Sequence, residues 1–463
     1  MRIQFDEKNL LADMVGKANG IARVELDRSR PKALKALISF RKRVDSGAVG
    51  FPQLPFAAGV IQSIRKFAGQ VKGTFDTVCV VGIGGSAVGA WALDCGIRGP
   101  HPIQGAFTAA HPRLVILDNV DPDFTEAALA SMNPRKTLVV VIAKSGGTAE
   151  TVSTFLIVRE WLVRALGRKA SSHIAAVTTD GKGDLDALAQ AEGYTAFAIP
   201  ENVGGRFSVL TPVGLVPAAL IGIDIGKLMR GAASMTELCW QPNLETNLAL
   251  RSALIHWLVW TRKAKTIQVA FPYSNHLWGT AFWFRQLWAE SLGKAVDRKG
   301  QPVHTGQTPV AALGTTDQHS QVQLYIEGPN DKVFSFWAVE KFSSAGRVPA
   351  AKLGLPAFDT LAGRSLAQLI DAERRSTAAA MVENGRPNCT YTLAKVDEEH
   401  LGAFLQLMEF QTAFLGELLN IDAFNQEGVE LGKRFTYGLM GREGFDEYRR
   451  EFAAYERRRK AAG

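Results

Sequence analysis

A chain of 463 residues is too long for one ordinary hydrophobic core, so at least two packed units are expected. Hydrophobic residues make up 46% and charged residues 21%, a globular balance that excludes a disordered or fibrous chain. The net charge of +8 is dispersed, and its one dense run, "YERRRK" at 455–460, reads as a solvated helix face, so nucleic acid is not an expected partner.

The N-terminus, "MRIQFDEKNLLADM", carries acidic residues where a signal peptide needs an apolar core. Residues 1–50 are expected to form a helical segment. Cys79, Cys95, Cys239 and Cys389 lie far apart without a CxxC pair, which argues against a zinc site or a disulfide framework and fits a reducing cytoplasm.

From residue 51 to 235 the pattern is that of a first α/β domain. "TVCVVGIG", "RLVILDNV", "TLVVVIAKS", "HIAAVTTD" and "YTAFAIPE" are Val- and Ile-rich runs with little alternation, as in strands buried on both faces. Amphipathic segments such as "TAETVSTFLIVREWLVRAL" separate them, which implies a parallel sheet covered by helices. "VLTPVGLVPAALIGI" (209–223) contains two prolines, is short of a membrane span and reads as a buried helix. After a helical bridge at 244–262, a second α/β domain is expected over 236–410. Its members are the strand "KTIQVAFPYS", the helix "HLWGTAFWFRQLWAESLG", and then the strands "VQLYIEGP", "KVFSFWAVE" and "CTYTLAKV". Residues 411–463 read as a C-terminal helical arm. Two α/β units of similar size hint at a duplication.

"GIGGSA" (82–87) satisfies the relaxed dinucleotide fingerprint through Gly82, Gly84 and Ala87. The acidic residue expected about 20 positions on is missing, since Asp118 comes too late, and there is no GxxxxGK[ST] sequence. A second loop, "VIAKSGGTAET" (141–151), offers Lys144, Ser145 and Thr148 around Gly146 and Gly147 at another helix start. Taken alone it is also an ordinary capped helix start. Two such loops at strand ends of one parallel sheet suit a single phosphomonoester on a small molecule.

Six motifs in order, "GIGGSAVG", "KSGGTAET", "GGRFSVLTPVGL", "WAESLGK", "GTTDQHSQ" and "QEGVELGK", resemble the successive motifs of the glucose-6-phosphate isomerase family over residues 80–433. The resemblance implies two sugar-isomerase (SIS) domains, each a parallel-sheet α/β sandwich, with a homodimer that shares its active sites. It implies reversible aldose–ketose isomerisation of glucose 6-phosphate and fructose 6-phosphate in glycolysis and gluconeogenesis. A non-catalytic sugar-phosphate regulator on the same fold, or an isomerase that also takes mannose 6-phosphate, are the alternatives.

Such chemistry needs ring opening, a base that moves a proton between C2 and C1, and a cation for the enediolate, with no metal or redox cofactor. Glu290 falls in the last turn of its helix, capped by Gly293, among tryptophans that would strip it of water; by periodicity alone it also reads as a surface carboxylate. The family motif makes it the base. His319 and Lys433 otherwise read as a structural histidine and a snorkelling lysine. The resemblance gives His319 ring opening, from the neighbouring subunit, and Lys433 the ring oxygen, with Gln426 lining the pocket. Arg206, which cannot deprotonate, suits the enediolate. Ser86, Lys144, Ser145 and Thr148 would hold the phosphate, with Gly85 and Gly205 as walls. The chain departs from the family at Ala143, where a hydroxyl residue is usual, and at Gly147, often a threonine; a weaker hold on the phosphate is expected.

Overall fold

The structure, a computed structural model, describes residues 2–99, 111–144 and 146–463. Residues Met1–Ala423 form one compact unit and Phe424–Gly463 another.

The first unit opens on strand β1 (Ile3–Asp6), so the N-terminal segment is not helical throughout. Its Ile3 is buried and its flanks are polar, a short edge-strand pattern. The long helix Arg23–Asp45 follows.

Strands β2 (Thr77–Val81), β3 (Arg113–Leu117), β4 (Thr137–Ile142), β5 (Ile174–Thr178) and β6 (Thr195–Ala198) form a sheet in the order β3-β2-β4-β5-β6. Every pairing is parallel. All residues of β2, β4 and β5 are buried, which is why their sequences are unbroken apolar runs rather than alternating ones. The helices Gly85–Arg98 and Ala149–Leu166 follow β2 and β4. The proline-containing stretch does form a buried helix, Pro212–Leu220.

The second sheet takes β7 (Ile267–Pro272), then, beyond the small ladder of β8 (Lys294–Val296) with β9 (Pro302–Thr305), β10 (Thr308–Ala311), β11 (Lys332–Val339) and β12 (Asn388–Leu393). Its order is β1-β12-β11-β7-β10, parallel except for β1. Read from β10, the winding repeats that of the first sheet, with antiparallel β1 in the place of β6.

One sequence expectation fails here. "VQLYIEGP" is the short helix Val322–Glu327, which turns Tyr325 inward and stops at Gly328. The sheet edge is instead β10, "TPVA", where an edge strand tolerates the N–H that its proline lacks.

The helix Glu398–Leu419 runs straight through the expected boundary at 410/411 and is buried from His400 to Leu418. It belongs to the first unit. The second unit holds helices Glu430–Leu439 and Asp446–Ala461, joined by edge contacts of Phe435 with Tyr448 and Phe452. The basic run at 455–460 lies exposed on the latter helix. Among the described residues no helix is long and apolar enough to cross a membrane.

Candidate active site

In the first sheet the chain leaves β2 for β3 on one side and leaves β4 for β5 on the other. The carboxyl ends of the adjacent strands β2 and β4 therefore bound a crevice, the place where ligands enter open α/β sheets. Both phosphate-loop candidates open into it. Gly84 sits at φ +59°, a left-handed conformation that favours glycine, and starts the helix Gly85–Arg98 without a side-chain cap. In the first turn the N–H of Ser86 donates to the carbonyl of Ile83 at 3.2 Å and that of Ala87 to the carbonyl of Gly84 at 3.0 Å, and the positive end of the helix dipole faces the crevice. Ser86 is half-buried in that turn.

The second loop turns at Gly146, φ +70°, and Thr148 precedes the helix Ala149–Leu166 without capping it through its side chain. Ser145 lies outside the described residues. Lys144 does not extend freely toward the crevice: its ammonium donates to the carbonyls of Glu201 at 2.8 Å and Val203 at 2.9 Å. Burial lowers its pKa from the ordinary lysine value, and the Glu201 carboxylate opposes that shift.

The second half of the unit reaches this crevice through helix packing. Helices Gly85–Arg98 and Trp278–Leu292 lie against one another, and Gly279 permits their closest approach, because a β-carbon there would sit 2.9 Å from that of Cys95. Cys95 Sγ donates to the carbonyl of Asn275 at 3.3 Å, while at the other end Gly84 faces Gln286. The pairing is antiparallel. It brings the C-terminal turn of the second helix, with Glu290, beside the first turn of the other.

Glu290 is fixed on two sides. Gln286, one turn earlier on the same face, donates to Oε1 at 3.0 Å. Arg206 Nη1 lies 3.4 Å from Oε2. The expected tryptophan surroundings are not found: Trp283 and Trp288 face the core, and Trp288 donates to Gln307 at 3.2 Å. Glu290 keeps a third of its side chain exposed, toward polar partners. Helical periodicity explains this for Trp288, which points about 200° away from residue 290, while Trp283 shares the face of residue 290 but stands two turns earlier, buried in the core.

Arg206 is almost wholly buried. Its Nε donates to Ser291 Oγ at 2.8 Å and its Nη2 to the carbonyl of Ala423 at 2.5 Å. Burial lowers its pKa, with the Glu290 and Asp422 carboxylates opposing. Gly205 beside it leaves open space on its side-chain face, as a cavity wall would, and Gly85 packs directly against it. Gln286 and Ser291 are the members that sequence reasoning passed over. Their signal was available: positions four before and one after the proposed base on one helix.

Not every candidate is brought together. His319 is exposed, at the end of the turn Thr316–Gln318, which Asp317 orders by accepting from the backbone N–H of Leu313 at 2.6 Å. Lys433 and Gln426 belong to the Phe424–Gly463 unit. There Lys433 pairs with Glu430 at 2.9 Å, and Gln426 begins the turn Glu427–Val429. The expected effect of Ala143 is also corrected: its side chain belongs to the buried cluster of Val81, Val139 and Phe155, and faces the core rather than the crevice.

A family model described as phosphoglucose isomerase matches residues 58–441. The chain belongs to the phosphoglucose isomerase family. It is 41% identical to a glucose-6-phosphate isomerase of Carboxydothermus hydrogenoformans over 97% of both chains. Against one of Rubrobacter xylanophilus it is 38% identical, over 96% of this chain and 99% of that protein. Among solved structures, a hypothetical protein of Thermus thermophilus superposes with a TM-score of 0.85 at 36% identity, over 95% of this chain and all of the other. A glucose-6-phosphate isomerase of Chlamydia trachomatis shares the fold, with a TM-score of 0.76 at 24% identity over 86% of this chain and 76% of that one. This phosphoglucose isomerase family member thus shares the family pattern through both of its sheets.

Proposed function

We propose that this chain interconverts D-glucose 6-phosphate and D-fructose 6-phosphate, a step of glycolysis and gluconeogenesis. The observation that carries the reading is the buried Arg206 held against Glu290 beside the Gly84–Gly85 helix start. The phosphate is taken by that helix start, Ser86 and the 144–148 loop; Lys144 exchanges its backbone carbonyl partners for phosphate oxygens as the substrate enters. Once the ring is open, the Glu290 carboxylate takes the C2 proton. A cis-enediolate forms, O2 and O1 exchange a proton, and Glu290 returns its proton to C1. Arg206, fixed before the substrate arrives, offers a permanent positive charge to the enediolate and adds no reorganisation at that step.

Ring opening falls to His319 and Lys433 on the strength of the motifs that carry them, with Gln426 lining the pocket. The exposure of His319 on its own chain supports a role in a partner's site, and we infer a homodimer in the cytoplasm. A regulator that binds sugar phosphate without turning it over has no observation in its favour, because the base and its cation are paired.

The test is a coupled assay of fructose 6-phosphate conversion, with and without chelator, on wild type and Glu290→Gln. Wild-type turnover is expected to be indifferent to chelator, and loss of the base to cost about 10²–10⁴-fold in kcat. Full turnover by Glu290→Gln would overturn the base. Mannose 6-phosphate in the same assay decides the width of substrate choice.

A further inference from the structure

We propose that Arg43, Arg298 and Glu417 are positioning residues that set the aim of Arg206 by fixing the turn at residues 420–423. The proposal rests on the reading of Glu290 as base and Arg206 as its cationic partner.

One of the anchors of Arg206 is a main-chain oxygen, that of Ala423. Its place depends on a turn rather than on the Arg206 side chain. The turn follows the helix Glu398–Leu419 at Asn420, whose φ of +59° reverses the chain. It folds back so closely that a β-carbon on Gly416 would lie 2.7 Å from that of Ala423. Three guanidinium groups from three separate elements then take three consecutive residues of the turn. Arg298, in the β8–β9 connection, donates from Nε to the carbonyl of Ile421 at 3.1 Å. Arg43, near the end of helix Arg23–Asp45, donates to the Asp422 carboxylate at 2.8 Å. Arg206 takes Ala423.

Glu417 ties the first two together. Its carboxylate, 1% exposed, receives Arg298 in a two-pronged pair, with Nη1 to Oε2 at 2.6 Å and Nη2 on Oε1, while Arg43 Nη1 stands 3.7 Å away. A carboxylate stripped of water is tolerable only with such partners. The Asp422 charge is in turn felt by Arg206. The cluster therefore grips the piece of backbone from which Arg206 is aimed at Glu290. If the turn loosened by about 1 Å, Ala423 would leave Arg206, and misplacements of that size cost on the order of 10²-fold in rate.

The test is kcat and KM for fructose 6-phosphate, with Tm, for wild type, Glu417→Gln, Arg298→Lys and the double variant Arg298→Met with Glu417→Met. Glu417→Gln is expected to lower kcat about tenfold or more while KM stays within about twofold. The double variant leaves no unpaired buried carboxylate, so its Tm is expected to return toward wild type while kcat stays low. Recovery of kcat together with Tm would show a merely structural cluster and overturn the proposal. If the double variant stays unstable, Arg298→Lys decides, because it keeps the charge beside Glu417 but loses the bond to Ile421. Lowered kcat at wild-type Tm supports positioning, and wild-type kcat overturns it. Failure of the base reading is seen separately, as full activity in Glu290→Gln.

Discussion

A β-carbon on Gly85 would lie 2.1 Å from the carbonyl oxygen of Gly205. The first turn of helix Gly85–Arg98 and the turn that carries Arg206 are thus in backbone contact, and neither can retreat cheaply. The atom in the way is main chain rather than the tip of a flexible side chain.

Gly85→Ala is accordingly expected to force the two segments apart, costing about 1–3 kcal/mol of stability. Because the crevice and Arg206 move with them, KM for fructose 6-phosphate is expected to rise at least about tenfold. Gly205→Ala is the control, since nothing lies within 4 Å of its added carbon. It should keep wild-type Tm. Equal Tm values for the two variants would contradict the contact.

The side chain at position 143 belongs to the core cluster, so Ala143→Ser would bury a hydroxyl instead of adding a phosphate donor. No change in KM is expected, with a stability loss of about 1–3 kcal/mol unless the hydroxyl finds a partner. Isothermal titration with a competitive phosphosugar inhibitor, together with thermal melts, checks both halves. Tighter binding by the variant would put residue 143 back in the crevice.

The strands of the first sheet were legible because burial on both faces removes polar residues from β2, β4 and β5. The two loops were legible from glycines that the backbone requires, such as Gly84 at φ +59°. Edges were not: β10 is short and contains Pro309, and β1 joins a sheet whose other strands lie more than 250 residues away in sequence. Glu290 and Arg206 were singled out by their motifs, but their pairing with one another, and that of Arg206 with Ala423, was not, because it forms only in the packed fold. Contacts that span 84 and 217 positions leave no periodic trace along the chain.

If His319 serves the partner's site, coexpression of Glu290→Gln with His319→Ala should restore what neither has alone. In a two-fold dimer each mixed pair holds one site with both residues intact. Random pairing then gives about a quarter of wild-type activity per subunit. Mixed dimers as inactive as the two parents would place His319 in the site of its own chain.

His256 is fully buried against Ser252 and Ser335, with Nδ1 2.8 Å from the Ser252 carbonyl and Nε2 3.3 Å from Ser335 Oγ. Burial pushes its pKa down from 6.5 to about 4, with the Ser252 carbonyl opposing. The folded state therefore refuses a proton that the unfolded chain accepts between pH 6.5 and about 4. The stability held by neutral His256 is complete above 6.5 and is lost as the pH falls through that window. The slope approaches about 1.4 kcal/mol per pH unit where the two states differ by one full proton. Urea titrations from pH 7 to 4 on wild type and His256→Gln check this. The variant starts less stable, because Gln fills the site imperfectly, but its curve against pH should be flatter by up to one proton. Parallel curves for the two proteins would show that the acid sensitivity arises elsewhere.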